Sequence, residues 1–136
     1  MNRKGQNLGM MDTYFFNPTG LDEKDLHKTS FSTPLDLLAL TNYALDNSTF
    51  AEIVSTKSKI IPYKNSEHKA FFLYNILQLD GSFYGIKGVK PGSSNFAHET
   101  LSSYIERDGR RLIAVILNSQ RTKDDVLLIY KRIFKS

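Results

Sequence analysis

Glu99-Thr100-Leu101-Ser102-Ser103-Tyr104-Ile105-Glu106-Arg107-Asp108-Gly109-Arg110-Arg111-Leu112-Ile113-Ala114-Val115-Ile116-Leu117-Asn118 is the stretch that decides the fold class. Two strand-like runs, 99–106 and 111–118, flank Asp108-Gly109. Asp-Gly tolerates the positive φ angles of a two-residue hairpin turn, so the runs are predicted to pair antiparallel. Residues 112–117 are apolar at every position, which predicts a central strand covered on both faces. Upstream, 83–89 is predicted as a third strand, with Gly85 and Gly88 marking close backbone approach or an irregularity. Downstream, 123–135 is predicted as a helix. Asp124 and Asp125 stand at its start and Lys131, Arg132 and Lys135 at its end, the arrangement the helix dipole favours.

The residues before this meander read as helical. Residues 1–9 form the end of a helix with Gly9 near its C-terminus, and Asn17-Pro18-Thr19-Gly20 is a turn. Residues 21–31 are a polar surface loop. Thr33-Pro34-Leu35-Asp36 is a helix start, with Thr33 as cap, Pro34 at the first helical position and Asp36 as a capping-box acid. That helix ends near Asp46-Asn47, and Thr49 and Glu52 predict a second capped helix to about Val54. Ile60-Ile61 lie in a strand ended by Pro62. Ala70, Leu73, Tyr74 and Leu77 fall at helical spacing, so 67–78 is predicted as an amphipathic helix with Phe71-Phe72 in the core. Helices first, then about three antiparallel strands, then a packing helix give an α+β (mixed α/β) fold.

The chain has 136 residues, which bounds it at one domain. It has no cysteine, so disulfides and thiolate chemistry are excluded. No run of apolar residues approaches the length of a membrane-spanning helix. The formal net charge is +4, spread as +1 over residues 1–20, −3 over 21–50, +3 over 51–90 and +3 over 91–136. No block of like charge stands out, so a basic surface is expected and nucleic acid is not a partner. His27, His68 and His98 share no ligand spacing, so neither a metal nor another cofactor is expected. Ser66-Glu67-His68-Lys69 matches S-x-x-K by letter and Ser93-Ser94-Asn95 matches S-x-N. With 13 serines and 12 lysines such a match arises by chance, and the order of the two is wrong for serine acyl transfer.

Taken as ordered strings, the chain resembles the D-alanyl-D-alanine carboxypeptidases, the low-molecular-mass penicillin-binding proteins. Met1-Asn2-Arg3-Lys4 and Leu8-Gly9-Met10 resemble the helix end after that family's S-x-N motif. Phe16-Asn17-Pro18-Thr19-Gly20-Leu21-Asp22 is similar to its F-x-N-P-H-G-L-D segment, and Phe31-Ser32-Thr33 with Asp36 and Leu37 to its Y-S-T-A-x-D-L helix start. Glu52-Ile53-Val54-Ser55-Thr56 fits the next helix. Gly88-Val89-Lys90-Pro91-Gly92 resembles the G-I-K-T-G strand, and Arg107-Asp108-Gly109-Arg110-Arg111-Leu112-Ile113-Ala114-Val115 the hairpin after it. The separation from Arg107 favours Lys90 over Lys87 as the motif lysine.

The resemblance implies an incomplete β-lactamase/transpeptidase-like domain over 1–136, with a mainly helical part at 1–80 and the sheet and C-terminal helix at 81–136. The family's nucleophilic serine, its partner lysine and the S-x-N motif are expected upstream of residue 1, as are the N-terminal strands, whose absence would leave an open sheet edge. The implied activity of the intact parent is serine-type carboxypeptidase cleavage of the terminal D-Ala from peptidoglycan stem peptides, outside the cytoplasmic membrane. These residues alone would be inactive. The implied partners are stem peptides ending in D-Ala-D-Ala and β-lactams. Lys90 is the implied third-motif lysine and Ser93 the backbone donor to the oxyanion, with Pro91, Gly92 and Arg121 binding substrate. Three departures weaken the resemblance: Pro91 replaces the motif Thr, Phe96-Ala97-His98 replaces A-A-G, and Thr19 replaces the His of N-P-H-G. They leave an alternative open, a non-catalytic descendant that binds a peptidoglycan peptide or another partner.

Overall fold

The computed structural model describes residues 1–77 and 85–134. A short helix α1 (Asn2–Asn7) opens the chain, and Gly9 follows it at φ +77°. Asn2 holds the next segment from both sides: its Nδ2 donates to the Phe15 carbonyl at 3.0 Å and its Oδ1 accepts from the Phe15 N–H at 2.8 Å. In the turn at 17–20 the Asn17 Oδ1 accepts from the N–H groups of Thr19 and Gly20, as an Asx turn does. A single turn of 3-10 helix, Leu26–Lys28, interrupts the loop that follows.

Helix α2 (Pro34–Leu45) starts as its sequence predicts, with Pro34 at its start and the Thr33 side chain accepting from the Asp36 N–H. The Asp36 carboxylate has a different role from the predicted one. Instead of turning back on its own helix end, it accepts from the Asp12 N–H at 2.9 Å and the Thr13 hydroxyl at 2.6 Å, tying the segment before the loop to α2. Helix α3 (Ser48–Ser55) is capped by Asn47, two residues before the Thr49 cap predicted.

Two antiparallel sheets follow. Strands β1 (Ser58–Ile61) and β2 (Phe71–Tyr74) form a two-stranded ribbon with Ile60 opposite Phe72. This corrects the helix predicted at 67–78. Lys64 and His68 exchange backbone hydrogen bonds at 3.2 Å, which turns the chain back on itself. That reversal delivers the aromatic run Phe71-Phe72-Leu73-Tyr74, whose residue types suit a pleated surface, to Ser58–Ile61 as a partner strand. Phe71 and Phe72 are also not core residues; both are exposed.

The main sheet has three strands, β3 (Ile86–Ser94), β4 (His98–Arg107) and β5 (Arg110–Ser119), in the order β3-β4-β5. Asp108 and Gly109 turn the β4–β5 hairpin at φ +53° and +71°, as the Asp-Gly signal requires. β4, not β5, is central, and the outer edges of β3 and β5 have no strand partner among the described residues. The apolar run at 112–117 reflects helices on both faces of β5, which is a separate matter from strands on both of its edges. Helix α4 (Thr122–Ile133) packs on one face and α2 on the other. Adjacent residues of β4 prove the two sides, since successive side chains of a strand point oppositely. Ser102 bonds Thr41 of α2 at 2.7 Å, and Ser103 bonds the Tyr130 hydroxyl of α4 at 2.7 Å. The main core lies on the α4 side, where Leu101, Ile105 and Ala114 meet Val126, Tyr130 and Phe134. The architecture is α+β, with the meander between two helical layers.

Candidate functional site

Strand β3 carries four of the five residues singled out by sequence: Lys90, Pro91, Gly92 and Ser93. They pair with Ser102, Leu101, Thr100 and Glu99 of β4 in that order, so one edge of each is held and the other faces outward. An edge strand offers alternate backbone N–H and C=O groups to an added strand. Pro91, with no N–H, is tolerated there because an edge needs only one ladder. Lys90 lies opposite Ser102 and therefore on the α2 side of the sheet. It is exposed, makes no ion pair among the described residues, and its ammonium donates to the Pro91 carbonyl.

Two glycines shape this edge, as their positions before Lys90 predict. Gly85 abuts the Glu106 carbonyl and Gly88 abuts Val54 of α3, both at positive φ. The β3–β4 register shifts between Lys87 and Val89, so Gly88 lets the strand bend around α3 just before Lys90.

Lys87, the rejected motif candidate, is engaged elsewhere. Its Nζ is 2.5 Å from Glu106 Oε2, and Arg111 Nε is 3.2 Å from the other oxygen of that carboxylate. The hydrogen bond from Lys87 holds the Glu106 carboxyl below the usual carboxylate range against partial burial, and the same bond raises the Lys87 ammonium. Because Glu106 is lowered in the folded chain, its stabilisation is present above the unfolded carboxylate range and is lost as pH falls through its folded value. Both partners are more than a third exposed, so the pair is expected to contribute within about 1 kcal/mol. Urea denaturation near neutrality and near pH 3 is expected to show a smaller loss of midpoint in Glu106→Gln than in the parent. An identical loss in both would refute the assignment.

Arg121, the fifth residue, stands at the N-terminal end of α4. Its guanidinium is 2.5 Å from Asp124 and largely exposed. The sheet register brings it to the same end as Ser93, since Ser93 pairs with Glu99, Glu99 with Ser119, and the Arg121 N–H donates to the Ser119 hydroxyl. Glu99 bridges the two elements by accepting from the Thr122 N–H and hydroxyl, both at 3.0 Å.

The two letter matches fall outside this arrangement. Ser66 is in the turn between β1 and β2 at φ +63°. Ser94 is the last residue of β3 and Asn95 opens the β3–β4 turn, across which the Ser94 hydroxyl accepts from the Ala97 N–H. His27, His68 and His98 lie in three separate elements, and His98 Nδ1 is 2.7 Å from Asn118 Oδ1. Sequence reasoning missed Thr41 and Ser102, which lock α2 against the strand beside Lys90.

This arrangement, a K-x-G strand at the rim of a sheet covered by helices on both faces, has counterparts among known proteins. The profile of one family, D-alanyl-D-alanine carboxypeptidase, matches residues 1–121. The chain belongs to that family. It is 32% identical over 117 residues to the D-alanyl-D-alanine carboxypeptidase DacB2 of Mycobacterium tuberculosis, covering 86% of this chain and 38% of that protein. It is 27% identical over 124 residues to DacF of Bacillus subtilis, covering 91% of this chain and 30% of that carboxypeptidase. Penicillin-binding protein D2 from Listeria monocytogenes, solved in its ampicillin-bound form, superposes with a TM-score of 0.80 at 27% identity over 95% of this chain and 52% of its own. The chain thus spans about a third of the curated carboxypeptidases it matches and about half of the solved structure. No helix among the described residues is long and apolar enough to cross a membrane.

Proposed function

We propose that this chain is the substrate-holding part of a serine-type D-Ala-D-Ala carboxypeptidase. The whole protein removes the terminal D-Ala from peptidoglycan stem peptides outside the cytoplasmic membrane. The observation that carries this reading is the outer edge of β3, which has no strand partner among the described residues, with the exposed Lys90 on it, in no ion pair among those residues. A stem peptide lies along that edge as an added strand, its carboxylate toward the Lys90 ammonium, with Gly92 leaving room for close approach. The Ser93 N–H donates to the oxyanion, and Arg121 adds positive charge at the same end of the sheet. Residues 1–136 form one partial domain of the transpeptidase type.

Acyl transfer also needs a serine hydroxyl activated by a neighbouring base. Ser66 lies in an exposed ribbon turn and has no such neighbour assigned, so the 136 residues alone are expected to take no label from a fluorescent penicillin. A covalent adduct on Ser66 would overturn this. Binding of a D-Ala-D-Ala peptide is expected to weaken about 10- to 100-fold in Lys90→Ala, the range for a lost charge-assisted hydrogen bond. Calorimetric titration giving equal affinities for parent and variant would remove Lys90 from the site. Pro91 favours a second reading, a non-catalytic descendant that only binds the peptide, because it offers no hydroxyl to the substrate carboxylate. Penicillin labelling of the longest reading frame around these residues separates the two: a label supports the enzyme, none supports the binder.

A further inference from the structure

The start of α4 is capped from outside its own helix. Its N-cap position is held by Arg121, whose side chain makes no cap hydrogen bond. Serine, threonine, asparagine or aspartate ordinarily stands there, and a cation at a helix N-terminus works against the dipole. The cap comes instead from β4, where Glu99 Oε2 accepts from both the N–H and the hydroxyl of the buried Thr122. Arg121 is held from its other side as well. Its N–H donates to the Ser119 hydroxyl at 2.9 Å, and that hydroxyl donates to Asp125 at 2.6 Å. The backbone of Arg121 is clamped between the end of β5 and a residue fixed to β4. Its guanidinium is left largely exposed, with Asp124 as its ion-pair partner.

Glu99 is also the residue opposite Ser93 on β3. Its contact with Thr122 places it on the α4 face of the sheet, whereas Lys90, opposite Ser102, lies on the α2 face. The β4–β5 register shifts between Glu99 and Leu101, an irregularity of the kind that re-aims a side chain. We infer that Glu99 is a positioning residue for Arg121. It fixes the start of α4 to the strand opposite Ser93, so that the guanidinium meets the peptide carboxylate from the α4 face while Lys90 meets it from the α2 face. The inference rests on the reading of the β3 edge as the peptide site. Helix stability alone does not account for the arrangement. A serine or aspartate at 121 would cap the first turn from within the helix, with no help from β4 and no cation at the dipole's positive end. A guanidinium carries five N–H donors, so the contact with Asp124 leaves others for a peptide carboxylate.

Calorimetric titration of the whole chain with a D-Ala-D-Ala peptide tests this. Arg121→Ala is expected to weaken binding about two- to fivefold, the range for an exposed charge contact. Glu99→Ala is expected to weaken it about as much, and to have no further effect in the Arg121→Ala background. Glu99→Gln keeps an acceptor for both Thr122 donors and is expected to bind as the parent does. Ser119→Ala removes the other side of the clamp. It too is expected to weaken binding only while Arg121 is present, and it carries the test if Glu99→Ala does not fold. Amide exchange checks the cause: the Thr122 amide is expected to lose protection in Glu99→Ala and to keep it in Glu99→Gln. A merely structural role predicts that Glu99→Ala lowers the urea midpoint and weakens binding equally with and without Arg121. That outcome overturns the inference. So does Arg121→Ala binding as the parent does, or Glu99→Gln binding as weakly as Glu99→Ala. Where Lys90→Ala still weakens binding in those cases, the reading of the β3 edge stands and only the role of Glu99 falls. A parent chain that binds no peptide overturns both.

Discussion

Gly88→Ala is expected to destabilise the chain by about 2–5 kcal/mol, read as a lower urea midpoint, and to abolish Lys90-dependent peptide binding with it. Two costs add at this position. Gly88 sits at φ +48°, where a side chain is strained. A Cβ there would also lie 2.7 Å from the Val54 carbonyl oxygen and 3.0 Å from the Val54 Cβ and Cγ2. The obstacle is backbone and a branched side chain of a packed helix, so relief requires α3 and β3 to part. Parting them moves the strand two residues before Lys90. Gly92→Ala is the control. Its φ is not in the left-handed region, and its tightest contact, 2.6 Å, is with the Thr100 hydroxyl, which can rotate away. Gly92→Ala is therefore expected to cost less than half as much in stability while still crowding the peptide edge. Equal midpoints for Gly88→Ala and the parent would refute the account of how the strand is bent.

Where a signal was local and chemically specific, the sequence was sufficient. Asp108-Gly109 can hardly do anything but turn a hairpin, Thr33-Pro34 starts a helix, and Gly85 and Gly88 stand where two backbones approach. The strand read from the residues alone, 83–89, stops short of Lys90, and only the resemblance of Gly88-Val89-Lys90-Pro91-Gly92 to the family's strand placed Lys90 on it. The failures share a cause: pattern along the chain does not say what lies across from it. Ala70, Leu73, Tyr74 and Leu77 fit a helix, and only the return of the chain at Lys64 and His68 makes the segment a strand. Apolar residues on both faces of β5 reported the helices above and below it and were mistaken for strands on either side. The lock between Thr41 and Ser102, 61 residues apart, has no signature in either residue. Asp36 carried a capping signal, yet its carboxylate serves a contact 24 residues away that no helix rule anticipates.

Removing the ring of Tyr130 should be as damaging as bending β3, by a different route. Tyr130 is fully buried in the core between α4 and the sheet, and Tyr130→Ala is expected to cost about 3–5 kcal/mol through the cavity left among Leu101, Ile105 and Val126. Tyr130→Phe keeps the ring but leaves the Ser103 hydroxyl buried without its partner at 2.7 Å, a cost of about 1–3 kcal/mol. The two variants also differ from the parent in alkali. Burial pushes the Tyr130 phenol up to about 12, against the hydrogen bonds from Ser103 and Ala114 that pull it down. A raised folded value means the unfolded chain loses this proton first. Its stabilisation is complete below about pH 10 and declines as pH rises toward 12, by roughly 2–3 kcal/mol over that window. Tyr130→Phe should start lower at neutral pH and lose less between pH 9 and pH 11. Parallel pH profiles for parent and variant would mean the phenol is not the group that titrates. Ser102 and Ser103 are consecutive on β4, so α2 and α4 are joined to the same strand from its two faces, and a loosened α4 is expected to reach Lys90, which pairs with Ser102, through that single central strand.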